Sequence, residues 1–236
     1  MTTQQQLLVG HAARNNAEWC TAMCRSHDMA GEFGPQSWAA PSRTPLYYPD
    51  AVTLAPGADP AALVERIDTG APGATVKDSF GDVDLSGAGF QVLFEAQWIH
   101  RPAHAPAPSS DLALDVVADP GSLHDWALAW DDGGGNADLF RPGLLDDPAT
   151  YVLAGRSADG RIVAGAVASR SDQVVGISNV FALDGGPDTA WPLVLGAVHE
   201  LFPTLPAVGY EHGEDMAAAV RHGFEPIGAL RIWLHG

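Results

Sequence analysis

Apolar residues recur at every second position in several short stretches of the chain, and at every third or fourth position in others. The first pattern predicts strands with one buried face, and the second predicts amphipathic helices. Within residues 111–236 the predicted order is strand, helix, helical turn, three strands, helix, strand, helix, strand. The segments are 112–117, 119 or 122 to 130, 140–145, 150–155, 162–169, 174–183, 189–202, 207–210, 215–222 and 230–234. This alternation predicts an α/β fold with a mixed sheet.

Both ends of the last predicted helix carry recognisable signals. Glu214 and Asp215 place negative charge at its start, where the helix dipole favours it. Gly223 follows the last helical residue, a position where glycine adopts a left-handed backbone at little cost. Phe224 then returns to an apolar pattern, and Pro226 prevents the helix from resuming. The chain therefore closes with a strand, a short helix, a glycine turn and a final strand.

The N-terminal half shows weaker versions of the same patterns. Its predicted segments are a helix at 7–29, a loop rich in Gly, Pro and Ser at 30–49, strands at 50–55, 73–80 and 91–100, and a short helix from 59 or 60 to 68. Three prolines separated by small residues make 101–110 a linker. We therefore predict two domains, at 1–108 and 109–236.

The two halves resemble each other in the order of their segments. Strand, helix, strand, a Gly-Phe pair and a closing strand occur in the first half around Gly89-Phe90 and again in the second half around Gly223-Phe224. A repeated order is the sequence sign of a duplicated structural unit. A shortened N-terminal copy of the C-terminal domain and an unrelated α/β extension both remain open.

Composition narrows the class of protein. The 236 residues are 46% hydrophobic and 17% charged, which provides enough apolar surface for a core. No apolar run reaches the ~18 residues needed to span a bilayer, and the first six residues lack the basic charge of a secretory signal. Cys20 and Cys24 give no disulfide framework. We expect a cytoplasmic protein, and the abundance of Ala, Gly, Asp and Arg resembles that of proteins from GC-rich bacteria.

The net charge of −17 limits the partners of the protein. Lys77 is the only lysine, and residues 111–236 carry 18 acidic and 6 basic side chains. Such a field repels polyanions, so we expect neither nucleic acid nor an anionic membrane as a partner.

The closing stretch resembles the end of the GNAT (Gcn5-related N-acetyltransferase) fold. In that family a strand is followed by a short helix, a Gly-Phe pair and a final antiparallel strand. The segments 207–210, 215–222, 223–224 and 230–234 follow this order, and the upstream segments from 111 onward also match. The resemblance implies a GNAT-like acyl-CoA N-acyltransferase fold, in a tandem arrangement with a shortened N-terminal half.

The resemblance also implies a cofactor site at the start of the central helix. Family members carry a pattern like Val-x-Pro-x-x-Arg-x-x-Gly-x-Gly/Ala there, whose backbone amides and arginine hold the diphosphate of acetyl-CoA. In this chain Pro187 occupies the arginine position, and no Arg or Lys occurs between Arg170 and Arg221. We expect acetyl-CoA as cofactor through a degenerate motif, and no metal. The remaining cofactor-binding candidates are Ala182, Leu183, Gly185, Gly186 and Thr189.

The catalytic positions of the family are changed as well. A tyrosine often lies four residues before the Gly-Phe pair as a general acid, and that position is Ala219. A carboxylate base often lies on the strand that here holds Ser178 and Asn179. Glu211 and His212 remain as catalytic candidates because they follow the end of a strand, and an imidazole can act as a base near pH 7. The alternative is that Glu211 is a surface residue and His212 caps the next helix.

Other groupings have two explanations each. Cys20, Cys24 and His27 share a helical face, which suits either a metal site with a further ligand or a buried stripe. The seven tryptophans suit either an apolar pocket or the core. A charged cluster suits either a cation site or a solvated loop, and it consists of Lys77, Asp78, Ser79, Asp82 and Asp84.

Three functions are therefore open. The resemblance implies an acyl-CoA-dependent N-acetyltransferase that acts on a small amine or a protein amine, and the acidic chain would suit a cationic amine. A catalytically inactive GNAT-like protein that binds a ligand or a partner protein is the second. A structural protein that forms a homodimer through a sheet edge and its tryptophans is the third. The missing arginine and tyrosine favour the last two, whereas the segment order favours the enzyme.

Overall fold

The structure is a computed structural model that describes residues 2–108, 112–132 and 134–236. Its helices are α1 (Thr3–Ser26), α2 (Pro60–Val64), α3 (Pro120–Asp131), α4 (Gly186–Leu201) and α5 (Gly213–Arg221). Its strands are β1 (Glu32–Phe33), β2 (Ser37–Ala39), β3 (Ala51–Thr53), β4 (Thr75–Asp78), β5 (Phe90–Arg101), β6 (Asp115–Val116), β7 (Thr150–Arg156), β8 (Ile162–Arg170), β9 (Val175–Ala182), β10 (Ala207–Glu211) and β11 (Glu225–His235). Short 3₁₀ turns lie at Ser86–Ala88, Ala137–Leu139 and Pro142–Asp146. The predicted α/β class with a mixed sheet is confirmed.

The chain packs into two compact units. The first contains the residues up to Trp98 together with Ile227–Gly236, and the second is Ile99–Pro226. Most of the closing strand β11 therefore belongs with the N-terminal residues. The division predicted at 108 and 109 stays a prediction, because residues 109–111 lie outside the described part of the chain. No described helix is long and apolar enough to cross a bilayer.

In the first unit the strand order is β1-β2-β3-β4-β11-β5. The pair β3 and β4 is parallel and joined through α2, whereas β4 and β11 are antiparallel. The predicted first helix is confirmed, but it starts one turn earlier than residue 7. Thr2 and Gln5 form a capping box, in which each side chain accepts a hydrogen bond from the other's backbone N–H.

The segment 30–49, predicted as loop, contains β1 and β2 instead. These strands pair antiparallel, with Phe33 opposite Trp38. Arg66 holds them in place, since its guanidinium donates to the carbonyl oxygens of Glu32 at 2.7 Å and Ser37 at 2.9 Å. The strands are two and three residues long, so they depend on this contact from a distant part of the chain and leave no periodic pattern.

In the second unit the strand order is β10-β9-β8-β7-β6. Among these described strands β10 and β9 are parallel, and the pairs β9–β8, β8–β7 and β7–β6 are antiparallel. On one face, α4 and α5 cover a core that includes Ala164 and Ala166 of β8. On the other face, the Trp126 ring of α3 lies against Gly165 and packs on Phe181. Helices therefore cover both faces of this sheet.

Helix α4 begins earlier than predicted. The prediction placed its start at Thr189, but the helix starts at Gly186 and Gly185 is its N-cap. Pro192 consequently lies inside the helix instead of in its first turn. Because proline has no N–H, the helical hydrogen bond that would reach the carbonyl of Asp188 is missing. The carbonyl oxygen of Asp188 therefore lacks the N–H donor that it would normally have within the helix.

The two units share a local arrangement. In the first, β3, α2 and β4 form a parallel pair joined by a helix, and β9, α4 and β10 do the same in the second. This agreement is what the predicted repeat requires of these segments. The tandem origin itself stays a prediction.

Candidate functional site

Strands β9 and β10 separate shortly after they meet. In their parallel register Val175 lies opposite Ala207, and Gly176 lies opposite Val208. At the next level the backbones are still close, because a Cβ on Gly209 would lie 3.0 Å from the carbonyl oxygen of Ile177. The later residues of β9 have no register partner on β10 in the described structure. The edge of β9 that faces β10 is therefore open from about residue 178.

A β-bulge interrupts β9 within this open segment. Ser178 lies opposite Val167 of β8, and Phe181 lies opposite Gly165, so β9 has one residue more than β8 over this interval. Asn179 takes a left-handed backbone conformation, with φ of 53°. A bulge leaves the extra residue out of the ladder and turns its backbone groups away from the neighbouring strand. Peptide groups of β9 are thus available to a ligand on the open edge.

The five predicted cofactor-binding residues surround the turn from β9 to α4. Ala182 ends β9, and the Leu183 N–H donates to the carbonyl of Val163 at 2.9 Å, so that amide is already engaged. Gly185 and Gly186 have φ of 79° and 61°, which favour glycine. The Thr189 hydroxyl folds back over Gly185, where a Cβ would overlap it. The turn therefore leads directly into the helix N-terminus, where the helix dipole favours an anion.

An arginine from a different helix reaches this turn. Arg221, in the last turn of α5, donates from Nε to Asp188 Oδ1 at 3.0 Å and from its terminal nitrogen to Oδ2 at 2.6 Å. His222 Nε2 lies 3.4 Å from the same Oδ1. The hydrogen bonds from Arg221 lower the pKa of Asp188. The start of α4 thus carries a carboxylate in its first turn and a cation that holds it.

Glu211 ends β10 beyond its last pair with β9. It is partly buried and lies on the same strand face as Ala207, which belongs to the core beneath α4. Burial, together with the nearby charge of Asp215, raises the pKa of Glu211 to about 7. A carboxyl group with this pKa exchanges its proton in the neutral range, as a general base requires. The prediction that Glu211 is catalytic remains a prediction, supported by this position.

The other predicted catalytic residue, His212, lies at the surface. His212 is exposed and occupies the N-cap position of α5, but its side chain makes no capping hydrogen bond. Ala219, at the position of the family's tyrosine, is fully buried in the core. Because alanine has no ionisable side chain, residue 219 cannot act as the general acid. Tyr210, next to Glu211, is partly buried and points to the opposite face of the strand.

The corresponding gap of the first unit is filled by the chain itself. The Thr53 hydroxyl of β3 accepts a hydrogen bond from the Ser79 N–H just beyond β4, at 2.8 Å. Asp78 is buried and accepts from the amides of Gly81 at 3.0 Å and Val83 at 3.1 Å. The Thr53–Ser79 bond joins the two strands at the level where β9 and β10 separate in the second unit, and the Asp78 bonds fix the turn that follows β4. The second unit thus contains the candidate site.

The remaining groupings are explained by packing. Cys20 and Cys24 are free thiols, and burial raises their pKa values to about 12 and 11, so both keep their protons at neutral pH. In the described residues no three His, Cys, Asp or Glu side chains are placed to share a metal ion. Lys77 is buried and donates to Asn16 Oδ1 at 2.8 Å. Six of the seven tryptophans are buried, namely Trp19, Trp38, Trp98, Trp126, Trp191 and Trp233.

Sequence reasoning missed two residues of the site. Arg221 was expected only to end a helix, since its partner Asp188 lies 33 positions away. Asn179 was noted for lacking a charge, and no periodicity marks the bulge that it forms. An asparagine within a strand is a weak signal for such a bulge, because asparagine tolerates left-handed backbone better than most residues.

Comparison with known proteins shows a similarity of fold and little similarity of sequence. No protein-family model matches the chain, and no curated protein matches it. Among solved structures, a GCN5-related N-acetyltransferase from Kribbella flavida is 18% identical, with a TM-score of 0.61 and coverage of 95% of both chains. A protein described as a GNAT-family acetyltransferase from Novosphingobium aromaticivorans is 14% identical, with a TM-score of 0.56 over 92% of this chain and 96% of that one.

A third similar structure is a conserved protein of unknown function from Staphylococcus epidermidis. It is 12% identical, with a TM-score of 0.57, and the match covers 74% of this chain and 75% of that one. At such identities the likeness concerns the path of the backbone alone. The chain has the fold of the GCN5-related N-acetyltransferases.

Proposed function

We propose that this protein is an N-acyltransferase that takes an acyl group from an acyl-CoA and transfers it to an amine. The observation that carries the proposal is the position of Glu211. Its carboxyl group, with a pKa raised to about 7, ends β10 where that strand has separated from the open edge of β9. An open strand edge beside a titratable carboxyl group suits the binding of an extended amide and the removal of a proton from an amine.

The residues present fit an acyl-CoA. The pantetheine arm of coenzyme A is extended and contains two amides, so it can pair with the free peptide groups of β9 as an added strand would. The N-terminus of α4 lies at the end of that strand and favours the diphosphate. Arg221 would supply the positive charge that is missing from the loop itself. Asp188 opposes this fit, because its carboxylate already occupies Arg221.

Glu211 would act on the acceptor amine. An acyl-CoA, when bound, supplies an acyl group activated as a thioester. An amine that attacks this group would form the C–N bond of an amide while the C–S bond of the thioester breaks and coenzyme A leaves as its thiolate, which takes a proton from solvent. The attacking amine must lose a proton, and the Glu211 carboxylate would accept it. Above pH 7 most of the carboxylate is ionised and able to do so, and below pH 7 it is increasingly protonated.

The acceptor is a cationic amine, either a small molecule or a lysine side chain. The net charge of −17 attracts cations to the protein. Asp215 adds a carboxylate beside Glu211, close enough to raise the pKa of Glu211. An ammonium group that entered this region would therefore be stabilised before it gave up its proton.

Acetyl transfer from acetyl-CoA to a panel of primary amines, polyamines and lysine peptides tests the proposal. Glu211→Gln should lower kcat by about 100-fold or more, the range of general base catalysis. Glu214→Gln, an exposed carboxylate on the neighbouring helix α5, is the matched control and should keep full activity. Equal activity of the two variants would remove Glu211 from the mechanism. Absence of transfer to every acceptor would leave a binding protein as the better account.

A further inference from the structure

A cavity of about 270 Å³ lies on the face of the second unit that carries α3. We refer to it as the α3 pocket, and it is lined by Pro120, His124, Ala137, Asp138, Phe140, Arg141 and Pro142. Glu211 lies on the opposite face of the sheet, the one covered by α4 and α5. The α3 pocket is therefore separate from the site assigned to acyl transfer.

Three ionisable side chains border the pocket without engaging one another. Arg141 lies just before a 3₁₀ turn and Asp138 lies within the preceding one. Neither side chain forms a hydrogen bond or ion pair with a described residue, although they are three positions apart in the chain. His124 of α3 is exposed and likewise unengaged. A guanidinium, a carboxylate and an imidazole thus face one cavity and remain available.

The wall of the pocket beside these charges is packed and hydrogen-bonded. Phe140 is buried and packs edge-on against Trp126, at 4.9 Å between ring centroids, and against Trp130 at 5.0 Å. Asp131, at the end of α3, accepts two hydrogen bonds from Asn136, one at 2.7 Å from its backbone N–H and one at 2.9 Å from its side chain. The hydrogen bonds link the end of α3 to Asn136, two positions before Asp138. A preorganised wall reduces the conformational entropy lost when a ligand binds.

We propose that the α3 pocket binds a small zwitterion of the α-amino acid class. Arg141 would hold the carboxylate of the ligand, Asp138 would hold its ammonium group, and its side chain would lie on Phe140. The pairing is chemically specific, because a guanidinium binds a carboxylate through two parallel hydrogen bonds. The cavity volume lies just below the usual range for ligand pockets, which restricts the ligand to a few more atoms than the amino acid backbone.

Binding of the twenty standard L-amino acids to the full chain tests this proposal. Each is titrated by calorimetry at pH 7 to 10 mM or to its solubility limit, and tryptophan fluorescence is followed in parallel because the Trp130 ring contacts Phe140. We expect saturable binding of at least one amino acid. Its methyl ester and its N-acetyl derivative, each of which keeps one charge, should bind at least about tenfold more weakly, as expected for the loss of a charged hydrogen bond.

Matched variants locate the site. Arg141→Gln and Asp138→Asn should each weaken binding of that amino acid at least about tenfold. Arg170→Gln and Asp172→Asn remove the same charges from exposed positions of the same unit and should leave binding unchanged. Unchanged thermal unfolding of all four variants shows that none acts through folding.

Three results would overturn the proposal. They are the absence of binding by all twenty amino acids, equal binding by the ester or the N-acetyl derivative, and equal losses in the control variants. None of these results bears on acyl transfer, since the proposal does not depend on that activity. Loss of acyl transfer in Glu211→Gln likewise leaves the pocket untouched.

Discussion

Arg221 and Asp188 join the end of α5 to the first turn of α4 through two parallel hydrogen bonds of 3.0 and 2.6 Å. Both side chains are more than half exposed, at 56% and 54%. A pair with such exposure is screened by water and adds little to stability. The pair places a carboxylate in the first turn of α4, where the helix dipole favours negative charge.

If acyl-CoA binds at this turn, its diphosphate must compete with Asp188 for Arg221. We therefore predict that Arg221→Gln weakens acetyl-CoA binding about tenfold, the loss of a charge-assisted contact. Asp188→Asn should strengthen binding several-fold, because it releases Arg221 and removes a negative charge. Calorimetric titration at two salt concentrations measures both effects.

The control for this pair is Arg161→Gln, which breaks an exposed ion pair with Asp159 in the β7–β8 turn. It should not change the affinity for acetyl-CoA. Weaker binding in Asp188→Asn would contradict the account, since it would make the carboxylate a contributor to the site.

The raised pKa of Glu211 predicts the shape of the pH profile. The rate of acetyl transfer, measured as kcat/KM, should rise with pH and level off above an apparent pKa near 7, because the ionised carboxylate is the active form. In Glu211→Gln this inflection should disappear from the residual activity. An inflection that persists in the variant would belong to another group.

The same pKa predicts a change in stability. In the unfolded chain Glu211 titrates near its ordinary value of 4.5, so between pH 4.5 and 7 the folded state holds a proton that the unfolded state has lost. Stability from this group therefore falls as the pH rises through that interval. Glu211→Gln should raise the free energy of unfolding by about 1–3 kcal/mol at pH 8 and leave it nearly unchanged at pH 4.

Urea unfolding of Glu211→Gln and Glu214→Gln at the two pH values tests this. Glu214 is exposed at the start of α5, where its charge faces the favourable end of the helix dipole. Its replacement should not stabilise the protein at pH 8. A gain in both variants would point to the general excess of negative charge.

Gly165 offers a test of how the second unit is packed. A Cβ at this position would lie 2.7 Å from the carbonyl oxygen of Leu153 and 2.7 Å from the Phe181 ring, in addition to meeting Trp126. We predict that Gly165→Ala destabilises the protein by about 1–3 kcal/mol, the usual effect of overpacking. Thermal unfolding measures the loss.

The matched control is Gly196→Ala in α4, where the nearest atom to the added Cβ is 4.0 Å away. This substitution should leave stability unchanged or raise it slightly, because alanine favours helix. Equal losses in both variants would mean that α3 does not pack closely on β8.

Much of the fold could be predicted from periodicity alone. The strands predicted at 150–155 and 162–169 match β7 and β8, which pair antiparallel with Arg156 opposite Ile162. Strand and helix signals were strong there because each element buries a continuous apolar face. The first turn of α4 was missed because Gly185, Gly186 and Pro187 resemble a loop, although a proline is tolerated in a first helical turn.

The site was less predictable than the fold. Glu211 could be found because it follows a strand end, which is visible in the sequence. Its raised pKa depends on burial and on Asp215, which only the folded chain provides. The contact between Arg221 and Asp188 depends on how two helices meet. The sequence around the start of α4 contains no cation, whereas in the structure Arg221 reaches it from α5.

The central claim is that the open edge of β9 and the start of α4 bind an acyl-CoA, and thermal unfolding with acetyl-CoA tests it most directly. A free cofactor concentration of about 100 times Kd should stabilise the folded chain by about 2.7 kcal/mol. For a chain of this size that corresponds to a rise of about 5–10 °C in Tm. The rise should be smaller in Arg221→Gln and unchanged in Arg161→Gln. An identical Tm with and without millimolar acetyl-CoA would contradict the account.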